Sequence, residues 1–236
     1  VQFAPRPRSY VRVAGPDAED YLQRMVSNDV AALAVGDRCE ALLLTPKSRV
    51  IAPLVVLRRA ADDFLLLTEP ELGERVRAEL TRFRFAAKAE IELEEHESWA
   101  VLGGEEVLDA RPGGEEVDEE AYERWRVEAG IPRWGRELDD SILPAEAGLT
   151  ETHVSFTKGC YPGQEPIARL HYRGKVNRRL RRLVLEGEPT GEELVLGGKV
   201  VGRITSRADG RALGYVRTEV PEDAMLEVGG ASARLH

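Results

Sequence analysis

Cysteine is scarce: Cys39 and Cys160 are the only two in 236 residues. Two thiols cannot build a disulfide scaffold, and they fall short of the about four that an iron–sulfur cluster takes. A cluster held by this chain alone is therefore excluded, and a reducing cytoplasm is the simplest setting. His153, Cys160 and His171 lie near one another in sequence but lack the tight ligand pairs of zinc sites, so no bound metal is expected. No apolar run approaches the roughly 20 residues of a membrane-spanning helix, and no membrane association is expected. The opening "VQFAPRPRSY" is too rich in proline and too poor in apolar residues for a signal peptide. It starts on Val1 rather than Met, so a few residues are expected to have been trimmed. Positive charge is in deficit, with 33 Lys and Arg against 42 Asp and Glu and a net charge of -9. That balance argues against bulk attraction to nucleic acid or anionic lipid, and no direct DNA binding is expected.

What remains is the composition of a globular protein, 42% hydrophobic and 32% charged, large enough for a substantial core. Residues Tyr10 to Val13 read as a strand. The run "PDAEDYLQRMVSNDV" puts Tyr21, Leu22, Met25 and Val26 at helical spacing, with acids in the first turn. Cys39–Leu44, Val50–Leu57 and Phe64–Thr68 read as strands, joined through Thr45-Pro46-Lys47-Ser48 and Ala61-Asp62-Asp63. A second helix from Pro70 presents Leu72, Val76, Leu80 and Phe83. The acidic segment "GGEEVLDARPGGEEVDEEAYE" reads as a solvated surface loop or short helix rather than a binding site. After Val176, short strands separated by glycine-rich turns predict a small β-barrel or sandwich.

Three places invite a chemical reading. Tyr122, Arg126 and Glu128 alternate, so on a strand they share one face. An aromatic plane, a cation and a carboxylate together suit a flat heterocycle with amino and ring N–H donors. An ordinary exposed strand face, with Trp125 and Val127 turned to the core, accounts for the same pattern. The run "RGKVNRRLRRLVL" could contact phosphates, yet arginines alternating with apolar residues also make the wet face of a strand, and no stacking series of aromatics accompanies them. Cys160 lies just before a helix start near Gly163, with Pro166 in its first turn. Lys158 and that helix terminus would favour a thiolate, whereas an inert thiol in a turn is the plainer alternative.

The stretch "KGCYPGQEPIARLHYRGKVNR" is more specific than any of these. Lys158-Gly159-Cys160-Tyr161, then Gly163-Gln164-Glu165, with Ala168-Arg169 and Arg173-Gly174, resembles the signature of the YgfZ-type folate-binding proteins, a branch of the aminomethyltransferase superfamily. "VAGPDAEDYLQRMVSNDV", "LLTPKSRVIAPLVVLR" and "WRVEAGIPRWGRELDDSILPAEAGL" resemble the family in the same order. The likeness covers most of the chain and is weakest in residues 95–120 and the last forty or so.

The resemblance implies an α+β fold, a three-domain ring around a folate cavity. Residues 1–45 with 130–175 would form one α+β domain, 46–129 a ferredoxin-like domain, and 176–236 a C-terminal β-barrel. It implies tetrahydrofolate as cofactor, with Glu128 holding the pterin, Tyr122 stacked near it, and Asn28 and Asp29 lining the cavity. Arg173 would attract the glutamate tail. It further implies a monomer that serves iron–sulfur client proteins, a tRNA-modifying enzyme among them, with Cys160 acting as nucleophile, redox group or transient ligand. The alternative is a tetrahydrofolate-dependent aminomethyltransferase. Against it, Ala52 and Pro53 stand where those transferases carry an aspartate. Ser48 also replaces a glycine usual in the turn, and Tyr122 sits where relatives have tryptophan.

Overall fold

A computed structural model spans residues 1–236. Its first layer is an antiparallel sheet of five strands in the order β3-β4-β5-β2-β6. These are β2 (Ser9–Ala14), β3 (Arg38–Leu44), β4 (Val50–Ala60), β5 (Asp63–Thr68) and β6 (Glu90–Glu94). Two helices cover one face. Helix α1 (Ala18–Met25) carries Glu19 and Asp20 in its first turn, where they meet the positive end of the helix dipole, and buries Ala18, Tyr21, Leu22 and Met25. Helix α2 (Gly73–Phe83) follows a 3-10 turn at Pro70–Leu72 and buries Val76 and Leu80. Phe83, expected on the apolar face, is instead partly exposed. The resulting core of 21 buried residues is the largest in the molecule.

The anticipated boundary between residues 45 and 46 does not hold. Strands β3 and β4 form one hairpin from Arg38↔Leu57 to Leu44↔Val50, so the split would cut a hydrogen-bonded ladder.

A second sheet has the order β8-β7-β1-β9, built from β1 (Gln2–Pro5), β7 (Ser98–Val101) and the two-residue strands β8 (Val107–Leu108) and β9 (Glu115–Glu116). Packed on it is α3 (Glu119–Ala129), where alternation had predicted a strand. The reason is local. The Asp118 side chain accepts a hydrogen bond from the Ala121 N–H at 2.9 Å, Glu119 and Glu120 occupy the first turn, and Gly130 ends the helix at φ 77°. On a helix Tyr122 and Arg126 still share a face, being four apart, but Glu128 does not. It is exposed.

The chain then runs through α4 (Thr150–His153) and α5 (Gln164–Arg173) into a closed six-stranded barrel. Its strands are β10 (Arg178–Glu186), β11 (Glu193–Leu196), β12 (Lys199–Ala208), β13 (Arg211–Arg217), β14 (Met225–Val228) and β15 (Ala231–Leu235). The expected C-terminal barrel is thus present.

Helix α3, the 131–137 segment and the barrel are joined through Arg126, which is 1% exposed. Its guanidinium donates to Glu137 at 2.9 Å, to Glu123 at 2.7 Å, to Ser206 of β12 at 2.8 Å and to the Ile131 carbonyl at 2.6 Å. Ser206 in turn donates to Glu137 at 2.6 Å, and the Tyr215 hydroxyl to the Glu137 carbonyl at 2.8 Å. Burying such a charge is tolerable only because every donor is matched.

Candidate functional site

Where the two sheets and residues 131–153 converge lies a cavity of about 430 Å³. Its apolar wall includes Leu54, Val55, Leu138 and Leu149, and Tyr122 and Trp125 of α3 add an aromatic side. The two rings are 5.8 Å apart and tilted by 39°. Strand β3 contributes Cys39 and Glu40, and α4 contributes His153.

The polar side is a chain of ion pairs that local sequence does not announce. Arg6 donates to Glu69 Oε1 at 2.6 Å, and Arg8 donates to the same oxygen at 3.3 Å. Arg8 also clasps Glu106 through Nη2 at 2.8 Å and Nε at 3.1 Å. Burial works against the charged form of Arg8, but Glu106 and Glu69 outweigh it and hold its pKa above the ordinary value. Glu69 is only 5% exposed, yet both guanidinium bonds fall on Oε1. Its Oε2 accepts nothing from the protein, and it is not sealed from the cavity. A buried carboxylate oxygen with free lone pairs beside an aromatic wall is an acceptor for paired N–H donors.

The rim corrects another expectation. The acidic 104–106 turn, read as a bland surface, lines the cavity through Gly104, Glu105 and Glu106. Arg38 pins it, donating to the Glu106 carbonyl at 2.6 Å and to the Glu105 carboxylate at 2.8 Å.

Among the anticipated folate contacts, Tyr122 lines the cavity and is 5% exposed. Arg126 is consumed by the node described above. Glu128 faces away, beside Arg182 and His236, because a helix turns it off the Tyr122 face. Asn28 sits behind the wall, its amide donating to the carbonyls of Glu40 at 2.7 Å and Thr152 at 3.0 Å. Asp29 accepts from Gln23 at 2.8 Å. Arg173 is exposed at the end of α5 and lines a different cavity. The pocket expectation therefore keeps Tyr122, loses the others as direct lining, and gains Glu69, Glu106 and Trp125.

The motif segment is a separate feature. Gly163 has φ 82°, and a Cβ there would lie 2.6 Å from the Thr45 carbonyl oxygen. Only glycine lets the loop press against the β3–β4 turn. Ser48 in that turn is buried, with φ 61°, and its hydroxyl donates to the Gly163 carbonyl at 2.5 Å. Lys158 points inward rather than toward Cys160. Its ammonium donates to the carbonyls of Val26 at 2.6 Å and Asn28 at 2.8 Å and lies 5.2 Å from the Tyr161 ring centre. Burial pulls its pKa down to about 8. The thiol that feels this charge is Cys39, which burial pushes up to about 11 despite Lys158. Tyr161 is buried too, and its hydroxyl has no partner.

Cys160 itself is exposed, four residues ahead of α5. Gln164 begins that helix, and Glu165 pairs with Arg169 at 2.7 Å on its exposed face. A side chain at Gly159 would meet nothing within 4 Å, so packing does not explain that glycine. No helix in the chain is long and apolar enough to cross a membrane.

These units define a recognisable class. Residues 8–104 match the GCVT N-terminal domain family, and residues 177–236 match the CAF17 C-terminal beta-barrel domain family. The crystal structure of glycine cleavage system aminomethyltransferase T from Bartonella henselae superposes with a TM-score of 0.87 at 19% identity, over 100% of this chain and 84% of that one. The chain thus joins a GCVT-like domain to a CAF17-type barrel, and proteins named IBA57, YgfZ and aminomethyltransferase are among those it is similar to. The mitochondrial iron-sulfur cluster assembly factor IBA57 of Mus musculus is 28% identical over 89% of this chain and 72% of its own length. The tRNA-modifying protein YgfZ of Edwardsiella ictaluri is 26% identical over 72% of this chain and 66% of its own length.

Proposed function

We propose that this protein is a folate-binding accessory factor for iron–sulfur cluster assembly or repair that acts on partners through Cys160. Its relatives named as an iron-sulfur cluster assembly factor and as a tRNA-modifying protein support the first part. The observation that carries the second is the construction of the motif loop. Lys158 and Tyr161 are spent on anchoring it from within, and Cys160 is left exposed. A thiol presented this way can attack, exchange electrons or ligate transiently, and it can do so only with a group that another molecule brings.

The cavity fits a folate ring. Its volume of about 430 Å³ falls in the usual range for small-molecule sites, and its lining sets an apolar and aromatic wall against a convergent group of charged side chains. Glu69 Oε2 would accept from the ring's N–H edge, Tyr122 and Trp125 would flank its plane, and Arg6 and Arg8 would hold the carboxylate in place. Tetrahydrofolate supplies carriage of one-carbon units when bound. Pro53 lines the cavity where the resemblance puts the aspartate of the transferases, so that residue's assistance at a folate nitrogen is lacking, which disfavours aminomethyl transfer.

Calorimetric titration with tetrahydrofolate tests the ligand. Wild type and Glu128→Ala should bind alike, and Glu69→Gln at least about tenfold more weakly, the worth of one charge-assisted hydrogen bond. Negligible heat from the wild type would remove the folate reading. For the thiol, Cys160→Ala should fail to restore iron–sulfur enzyme activities in a deletion strain, and full restoration would remove its role.

A further inference from the structure

The side of α5 facing the 143–150 segment forms a groove. At the helix start it is a cavity of about 290 Å³ with Leu143, Ile167 and Leu170 on its wall. Past Ala145 and Gly174, which face both spaces, it continues as a second cavity of about 480 Å³ bearing Lys175 and Arg179. The first space is almost wholly apolar, whereas charge lies along the edge and in the second.

That charge runs against the composition of the chain. Residues 166–185 hold seven Arg or Lys and no Asp or Glu, in a protein with 42 acids to 33 bases. Arg169, Arg178 and Arg181 are paired with Glu165, Glu146 and Glu222. Arg173, Lys175 and Arg179 are exposed and hold no acid. Against these three cations the groove offers one unpaired carboxylate, Glu151 of α4. Beside them Tyr172 is 68% exposed and fixed edge-on to His171 at 4.8 Å, with His171 stacked on Phe156 at 4.0 Å. Tyr172 lines neither cavity, but an exposed tyrosine next to free arginines is the composition of protein-binding surfaces.

We propose that this groove docks an acidic segment of a partner protein, one that seats an apolar side chain between its carboxylates. The apolar space takes the anchor, and Arg173, Lys175 and Arg179 take the charge. A nucleic acid fits less well, because Tyr172 stands alone without the series of stacking faces that single strands use, and the acidic remainder of the chain would repel an extended polyanion. The placement also has a consequence for Cys160. The groove starts at Ser48, whose hydroxyl holds Gly163, three residues from the thiol. A docked partner therefore lies along a helix of about 15 Å whose first residue is four positions from the exposed Cys160. This inference stands apart from the folate reading, since no cavity residue enters it.

The test uses the full chain and a fluorescein-labelled peptide, Glu-Asp-Glu-Leu-Leu-Glu-Asp-Glu, followed by anisotropy. Saturable binding is expected. It should weaken at least about tenfold in the triple variant Arg173→Glu, Lys175→Glu, Arg179→Glu, and equally when both leucines of the peptide become serine. It should also fall with added salt. All three substituted side chains are exposed, so the thermal midpoint of the variant should match wild type and show that it is folded. Absence of saturation, equal affinity in the triple variant, or tighter binding of a labelled oligouridylate of equal charge would each overturn the proposal.

Discussion

Ser48 and Gly163 lie 115 residues apart and are joined by a hydrogen bond of 2.5 Å from hydroxyl to carbonyl. That bond attaches the loop carrying Cys160 to the edge of the five-stranded sheet. The reactive candidate therefore has an exposed side chain on a backbone held by the core, which is the arrangement a thiol needs to meet a partner at a fixed position.

Gly163→Ala should damage this attachment. The new Cβ would sit 2.6 Å from the Thr45 carbonyl oxygen in a backbone conformation of φ 82°, and a peptide oxygen cannot swing aside as a flexible side chain can. The expected cost is about 1–3 kcal/mol, read as a lowered midpoint in urea.

The two cysteines should be separable by alkylation. At about pH 8, iodoacetamide should modify native protein at Cys160 and spare Cys39, whose pKa burial raises to about 11. Peptide mapping checks this, and prior unfolding should make both sites react.

The Arg126 node predicts a non-additive pair. Arg126→Met leaves Glu137 buried without its cation and should cost about 3–5 kcal/mol, and Glu137→Leu leaves Arg126 buried with Glu123 as its one carboxylate and should cost somewhat less. The double variant should lose much less than the sum, because the surviving charge is gone. Urea unfolding of the four proteins measures the coupling.

His96 predicts a pH dependence. It lies 2.8 Å from Glu94 and 2.7 Å from Asp109. Burial disfavours its charge, but these two bonds outweigh the loss and raise its pKa above the ordinary value. A raised pKa means the folded state binds the proton more tightly. Its contribution is then complete below about pH 6.5 and disappears as pH rises through the folded-state pKa. The stability advantage of wild type over His96→Gln should shrink between about pH 6 and pH 9. An advantage that grew with pH would contradict the geometry.

The parts legible in the sequence were those with local causes. The barrel announces itself through glycines at its turns, and Gly187, Gly197, Gly198 and Gly210 do take positive φ. Helix α5 is legible through Gly163 and Pro166. Helix α3 had equally local signals in Asp118, Glu119 and Gly130, but the alternation of Tyr122, Arg126 and Glu128 masks them, and the wrong period carries Glu128 into the pocket and off its true face. Glu69 could not be found this way. Its partners Arg6 and Arg8 stand more than 60 positions upstream, and "LLLTEP" looks only like the end of a strand. The 104–106 turn is acidic without being a plain surface, because Arg8, just ahead of β2, and Arg38 of β3 fold it over the cavity.

Arg126 also bears on how the gene can change. The barrel, which matches a domain family of its own, meets the rest of the chain at this guanidinium, which belongs to α3 while one of its acceptors, Ser206, belongs to the barrel. Cutting the chain ahead of Asn177 would remove Ser206 and Tyr215, stranding Glu137 in a half-built polar centre. The barrel is consequently not an accessory that recombination can detach or exchange freely. The keystone side chain makes the two halves inherit each other.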